Sequence, residues 1–93
     1  MATSTIKTHA GRLSTTEYGE SITISASSTY TVTKDVSRIG YRIIGIVGIA
    51  QSNANAPIVE FVISGNNAII VVKNTTTASI SENLYFDVLY EAI

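Results

Sequence analysis

The run IGYRIIGIVGIA at residues 39–50 constrains the fold more than any other part of this chain. After Arg42 it holds Ile43, Ile44, Ile46, Val47 and Ile49 with no polar side chain, and glycine stands at positions 40, 45 and 48. Side chains of a strand point to opposite faces in turn, so a strand with one wet face alternates apolar with polar residues. No such alternation exists here. The pattern predicts a strand over Tyr41–Gln51 with both faces covered, and in a chain of 93 residues the second cover is expected to be another subunit. The glycines read as bulges or close backbone approaches. They do not form a phosphate loop, because no helix start follows to present its amides.

Around this strand the sequence is rich in Ser, Thr, Val and Ile, and poor in the residues that favour helix. Residues 1–4 read as a loose end, and 6–13 as an edge strand or an arm laid on a neighbour. ESITISA at 20–26 alternates cleanly, and 29–36 alternates again through Tyr30 and Val32. The polar loop SNANAP at 52–57 separates the long strand from a hairpin. That hairpin joins strands at 58–64 and 68–74 through Gly65, Asn66 and Asn67, the strongest turn signal in the chain. A Thr-rich link leads to the last strand, 80–91. Short links with nothing helical between them predict an all-β fold, an antiparallel β-sandwich of jelly-roll-like type with six to eight strands. The expected organisation is an N-terminal arm or edge strand over 1–20 and a β-sandwich domain over 21–93.

Charged residues make up only 14% of the chain against an apolar fraction of 45%. So few charges leave a monomer little to keep its surface free of apolar patches, which again points to self-association. Six basic and seven acidic side chains provide no field for phosphates, so no nucleic-acid partner is expected. No run approaches the ~18 apolar residues of a membrane-spanning helix. The N-terminus MATSTIKTHAGR lacks the apolar core of a secretory signal, so synthesis and folding in the cytoplasm are expected.

The strand faces divide by composition. Leu84, Phe86, Val88 and Tyr90 share one face of the last strand, and Val59, Phe61 and Ile63 one face of the hairpin. These wholly apolar faces are assigned to the core. The opposite faces carry Ile58, Glu60 and Val62, and Tyr85, Asp87 and Leu89, apolar residues with isolated acids. Together with Ile44 and Ile46 they form the expected oligomer interface, with Glu60 and Asp87 at its rim or against a cation.

In this order of strands the chain resembles a known group. GYRIIGIVGI at 40–49, the SGNNA turn, VVKNTTTASIS and the closing LYFDVLY are similar to the small C-terminal β-domains of tailed-bacteriophage virion proteins. SITISASSTYTVTKDVS at 21–37 resembles the strand pair preceding the glycine-tyrosine strand in those domains. The resemblance covers residues 21–90. It implies a non-enzymatic virion module, commonly homotrimeric, that serves as a fibre head, a capsid decoration or a receptor-binding tip. The implied partners are the chain itself and other virion proteins, with a host surface glycan or protein for attachment, and the implied location is the virion. No receptor motif is shared, so the resemblance assigns no site residues.

Chemistry-bearing residues are few. His9 is the only histidine, so any histidine-dependent nucleophile would need it, and it lies on the segment read as an arm or edge strand. The acids are scattered without the spacing of a calcium loop or the signal of a carboxylate pair, and cysteine is absent. We expect no catalytic residue, no cofactor and no metal site. Of the five tyrosines, Tyr85 and Tyr18 are the surface candidates for stacking on sugars, whereas Tyr90 is expected in the core. Receptor contacts are expected in the exposed loops, at Asn53 and Asn55 and at Thr75, Thr76 and Thr77. The alternative function is a carbohydrate-binding module or lectin-like adhesin.

Overall fold

A computed structural model describes residues 12–93. Among these residues there is no helix, and six strands run β1 Leu13–Ile24, β2 Ser28–Asp35, β3 Tyr41–Gln51, β4 Ile58–Ser64, β5 Asn67–Asn74 and β6 Ile80–Ala92. They form two three-stranded antiparallel sheets, β1-β6-β3 and β2-β5-β4. The fold is all-β, as expected. Only β4 and β5 are joined as a hairpin within one sheet; every other connection crosses from sheet to sheet. The hairpin turn is Gly65–Asn66, with Gly65 at φ 61° in the left-handed region, as the first central residue of a type II′ turn requires.

The first strand begins at Leu13 and pairs with β6 without interruption to Ile24. The boundary expected after residue 20 therefore runs through the middle of an edge strand, and residues 13–20 belong to the sheet. Residues 1–11, which include His9 and most of the expected arm, lie outside the described residues.

The core draws on both sheets. Leu84, Phe86, Val88 and Tyr90 of β6 are buried together with Ile22 and Ile24 of β1, Val32 of β2, and Ala68, Ile70 and Val72 of β5. The two central strands, β6 and β5, supply most of it because each has a neighbour on both sides. The expected inward face of β6 is the observed one.

The β3 strand departs from expectation for a clear physical reason. Its register against β6 shifts between Ile43 and Gly45 and again between Ile46 and Gly48. Each shift is a bulge that adds one residue to β3 and reverses the side-chain alternation. Ile43, Ile46 and Ile49 consequently pair with Tyr90, Val88 and Phe86 and pack against the core, three residues apart rather than two. Gly45 and Gly48 stand opposite Leu89 and Asp87 on the outer face, while the bulge residues Ile44 and Val47 are exposed. The apolar run is thus a triplet repeat of isoleucine, bulge residue and glycine. Its second face is glycine, not a second aliphatic surface awaiting cover.

A bulge also reorders β4. The register against β5 shifts between Ile58 and Glu60, so Ile58, Phe61 and Ile63 pair with the buried Val72, Ile70 and Ala68. Val59 leaves the inward face to which its spacing assigned it and is exposed. Ile58 takes its place against the core.

Two polar devices close the ends of the stack. At one end the Tyr90 hydroxyl donates to the Val36 carbonyl, and the Tyr18 hydroxyl lies 2.5 Å from that of Tyr90. Since the single Tyr90 proton goes to Val36, Tyr18 donates to Tyr90. Burial pushes the Tyr90 phenol above its ordinary value of 10.0. Arg38 lays its guanidinium 3.9 Å from the Tyr41 ring centroid and 4.8 Å from that of Tyr90. From there it donates to Ser14 and Thr16 of β1. The crossover from β2 to β3 is thereby tied to both flanks of the first sheet.

At the other end Gln51 is the hub. Its side-chain carbonyl accepts from the Ile58 amide at 3.2 Å. Its amide nitrogen lies 2.8 Å from the Asn53 carbonyl, 2.7 Å from that of Ala56 and 2.9 Å from Glu82 Oε1. Three acceptors face two protons, so Gln51 would remain satisfied by the two backbone carbonyls alone. Glu82 is only 4% exposed, and its Oε2 is buried without a hydrogen-bond partner. Burial pushes its carboxyl above the ordinary 4.5, opposed by the Gln51 hydrogen bond. Glu82→Leu should therefore stabilise the fold by about 1 kcal/mol at neutral pH, as replacement of uncompensated buried charge does. With a raised folded-state pKa, the native state holds its proton longer than the unfolded chain. The Glu82 contribution is thus most favourable below the unfolded value of 4.5 and declines as pH rises through the folded one. Urea unfolding of both proteins from pH 4 to pH 8 should show the difference widening with pH.

Candidate functional site

Two surface features stand out, and both follow from where strands end or lose their neighbours. The first is a cleft. Strand β3 stops at Gln51, opposite Leu84, so residues 80–83 of β6 have a sheet neighbour only on β1. The chain leaves this corner through Ser52, whose amide donates to the Asn83 carbonyl and whose hydroxyl accepts from the Asn83 amide. The step leaves an open cleft of about 260 Å³ lined by Ser21, Ile22, Thr23, Ser52, Ser81, Asn83 and the buried Glu82. Its hydroxyls are ordered in cross-strand pairs, Ser21 to Asn83 at 2.7 Å and Thr23 to Ser81 at 3.0 Å. Tyr85, one row further along the same face, is exposed, and its ring lies over Gly19, where a Cβ would meet it at 3.4 Å. An aromatic plate beside a row of hydroxyl and amide groups can stack on and hydrogen-bond a polyhydroxylated ligand.

The second feature is an apolar edge. Strand β3 is an edge of the first sheet and β4 an edge of the second, and the two approach each other on one side of the stack. Ile44 and Val47 of β3 and Val59, Phe61 and Val62 of β4 are all exposed; Val47 is 57% and Phe61 49% accessible. Phe61 faces inward by register yet stays half open, because beyond it this side of the stack is uncovered. Between Arg42 and Lys73 the only charged side chain is Glu60. The opposite side, between β1 and β2, is bridged by an ion pair, Lys34 to Glu20 at 3.1 Å.

The expected interface residues separate on this frame. Ile44, Glu60 and Val62 are exposed on or beside the apolar edge. Tyr85, Asp87 and Leu89 lie on the outer face of the first sheet, Tyr85 exposed and the other two half-buried. Ile46 and Ile58 differ from the others: the bulges turn both toward the chain's own core, against which they pack while staying partly exposed. Tyr18 is likewise corrected as a surface aromatic. It lies in β1 and stacks on Phe86 at 5.5 Å between ring centroids. Val47, Val59 and Phe61, which the expected interface omitted, are carried outward by the bulges or by the open side. The repeated Ile-x-Gly spacing was the available signal for Val47.

The expected receptor loops leave the same end of the stack, after β3 and after β5. Asn53 accepts from the Asn55 amide at 3.0 Å and Asn55 is exposed. Thr75 and Thr77 are exposed, but Thr76 is structural. Its amide donates to Asn74 Oδ1 at 2.9 Å, and its carbonyl accepts from the Ser27 amide at 3.0 Å. Among the described residues no group of three or more His, Cys, Asp or Glu is placed to hold a metal ion.

Comparison with protein-family models, curated proteins and solved structures gives no match for this chain.

Proposed function

We propose that the protein is a non-enzymatic structural module of a bacteriophage particle, a homo-oligomer of three-fold type by its resemblance to virion β-domains, acting as a fibre head, decoration or receptor-binding unit. The observation that carries the self-association is the charge-poor apolar edge of β3 and β4, half exposed in a chain with few charges to keep it soluble. The same economy of charge argues against a free monomer. Attachment to a host surface would use the loops after β3 and β5, which share one end. Light scattering on a sizing column tests the reading: a mass of three subunits is expected, and a clean monomer at 100 µM would sink it.

A second reading, a carbohydrate-binding module, is favoured by the cleft beside Tyr85. It expects isolated protein to bind oligosaccharides in a glycan-array screen, with loss of signal in Tyr85→Ala. Retention of binding in that variant would count against Tyr85 as the platform.

A further inference from the structure

We infer that the surface through which copies of this chain associate is the β3/β4 edge, centred on Val47 and Phe61, and not the outer face of either sheet. The inference rests on the proposed self-association and specifies its geometry.

Three surfaces compete. On the outer face of the first sheet, Glu17 and Asp87 stand directly opposite each other across β1 and β6, flanked by Gly48 on β3. Like charges in that position repel, and covering the face with an identical one would bring four carboxylates into a region of lowered dielectric. On the outer face of the second sheet, Ile69 and Val71 are half-buried between Thr31 and Thr33 on one side and Glu60 and Val62 on the other. That face offers little continuous apolar area. The edge differs from both. It combines Ile44, Val47, Val59 and Phe61, with Val62 and a single charge, Glu60, beside them on the outer side of β4, where Glu60 can remain in water.

The area is of the right order. Five large side chains about half exposed present on the order of 400 Å² of apolar surface, comparable to the largest patch on a typical monomer. That is about half of the ~800 Å² each partner gives to a standard interface, before the unpaired edge backbone is counted. Further copies of the chain are the matching occupant because neutral edges gathered around a common axis bring no charge that must be stripped of water. A strongly acidic or basic partner would find no counter-charge along residues 43–59. The bulges in β3 also favour side-chain packing over strand addition, since they interrupt the regular edge that a new strand would need.

The test uses the full chain. Val47→Lys and Phe61→Lys alter exposed positions, so each should retain the β-type circular dichroism spectrum and a cooperative melt. Each should raise the dissociation constant by ~30-fold or more, the scale on which a central hot spot is lost. Tyr85→Lys, on the outer face of the first sheet, should leave the mass unchanged. A wild-type monomer at 100 µM would overturn both this inference and the self-association beneath it. A wild-type oligomer that survives both edge substitutions but falls apart in Tyr85→Lys would overturn this inference alone. Hydrogen exchange on the unmodified protein gives an answer independent of whether the variants fold. Outward-facing amides of β3 and β4 should gain protection with concentration while those of β1 and β2 do not, and the reverse pattern would reject the edge.

Discussion

Phe86→Ala should cost about 3–5 kcal/mol of folding stability. Phe86 is 1% exposed at the middle of β6, the central strand of its sheet, and lies in one row between Tyr18 of β1 and Ile49 of β3. Its ring stacks on that of Tyr18, so truncation removes an aromatic contact as well as buried area. The cavity cannot readily collapse, because both neighbours are held by backbone pairing to the same strand. For 93 residues the whole stability is on the order of 5–14 kcal/mol, so the loss is a large share of it. Urea unfolding by circular dichroism reads the effect as a lower midpoint. A loss below about 1 kcal/mol would mean that the two sheets do not close over this row.

Ile46→Ala and Ile44→Ala should differ sharply although the residues are two positions apart. In a regular strand they would share a face and respond alike. With a bulge at each glycine triplet, Ile46 pairs with Val88 over the core and Ile44 is exposed. Ile46→Ala should cost about 2 kcal/mol, and Ile44→Ala no more than about 0.5 kcal/mol. Across the strand the costly positions should be Ile43, Ile46 and Ile49, a period of three. Equal losses at 44 and 46 would reject the first bulge. Because oligomerisation adds its own concentration-dependent term, these measurements belong at concentrations below the dissociation constant, where Ile44 reports only on the subunit.

Where a strand is regular, local pattern was sufficient. The alternation of Leu84, Phe86, Val88 and Tyr90 identifies the buried face of β6, and the glycine at position 65 identifies the hairpin. Both signals are local, one from the pleat and one from a backbone conformation that glycine adopts without steric cost. The candidate site was legible only in part. Tyr85 could be placed outward by parity, but the cleft beside it exists because β3 stops opposite Leu84, leaving residues 80–83 at the start of β6 without it, and no residue of β3 announces that.

By itself the sequence determined the all-β class, most strand positions and the scarcity of charge, since these depend on propensity, local spacing and composition. Tertiary pairing decided which side chains of β3 and β4 face inward. A bulge is a mismatch between two strands distant in the chain, and one extra residue opposite a partner reverses every side chain beyond it. The same apolar run can therefore present two aliphatic faces or one aliphatic face and one of glycine, and only its register against β6 selects the second.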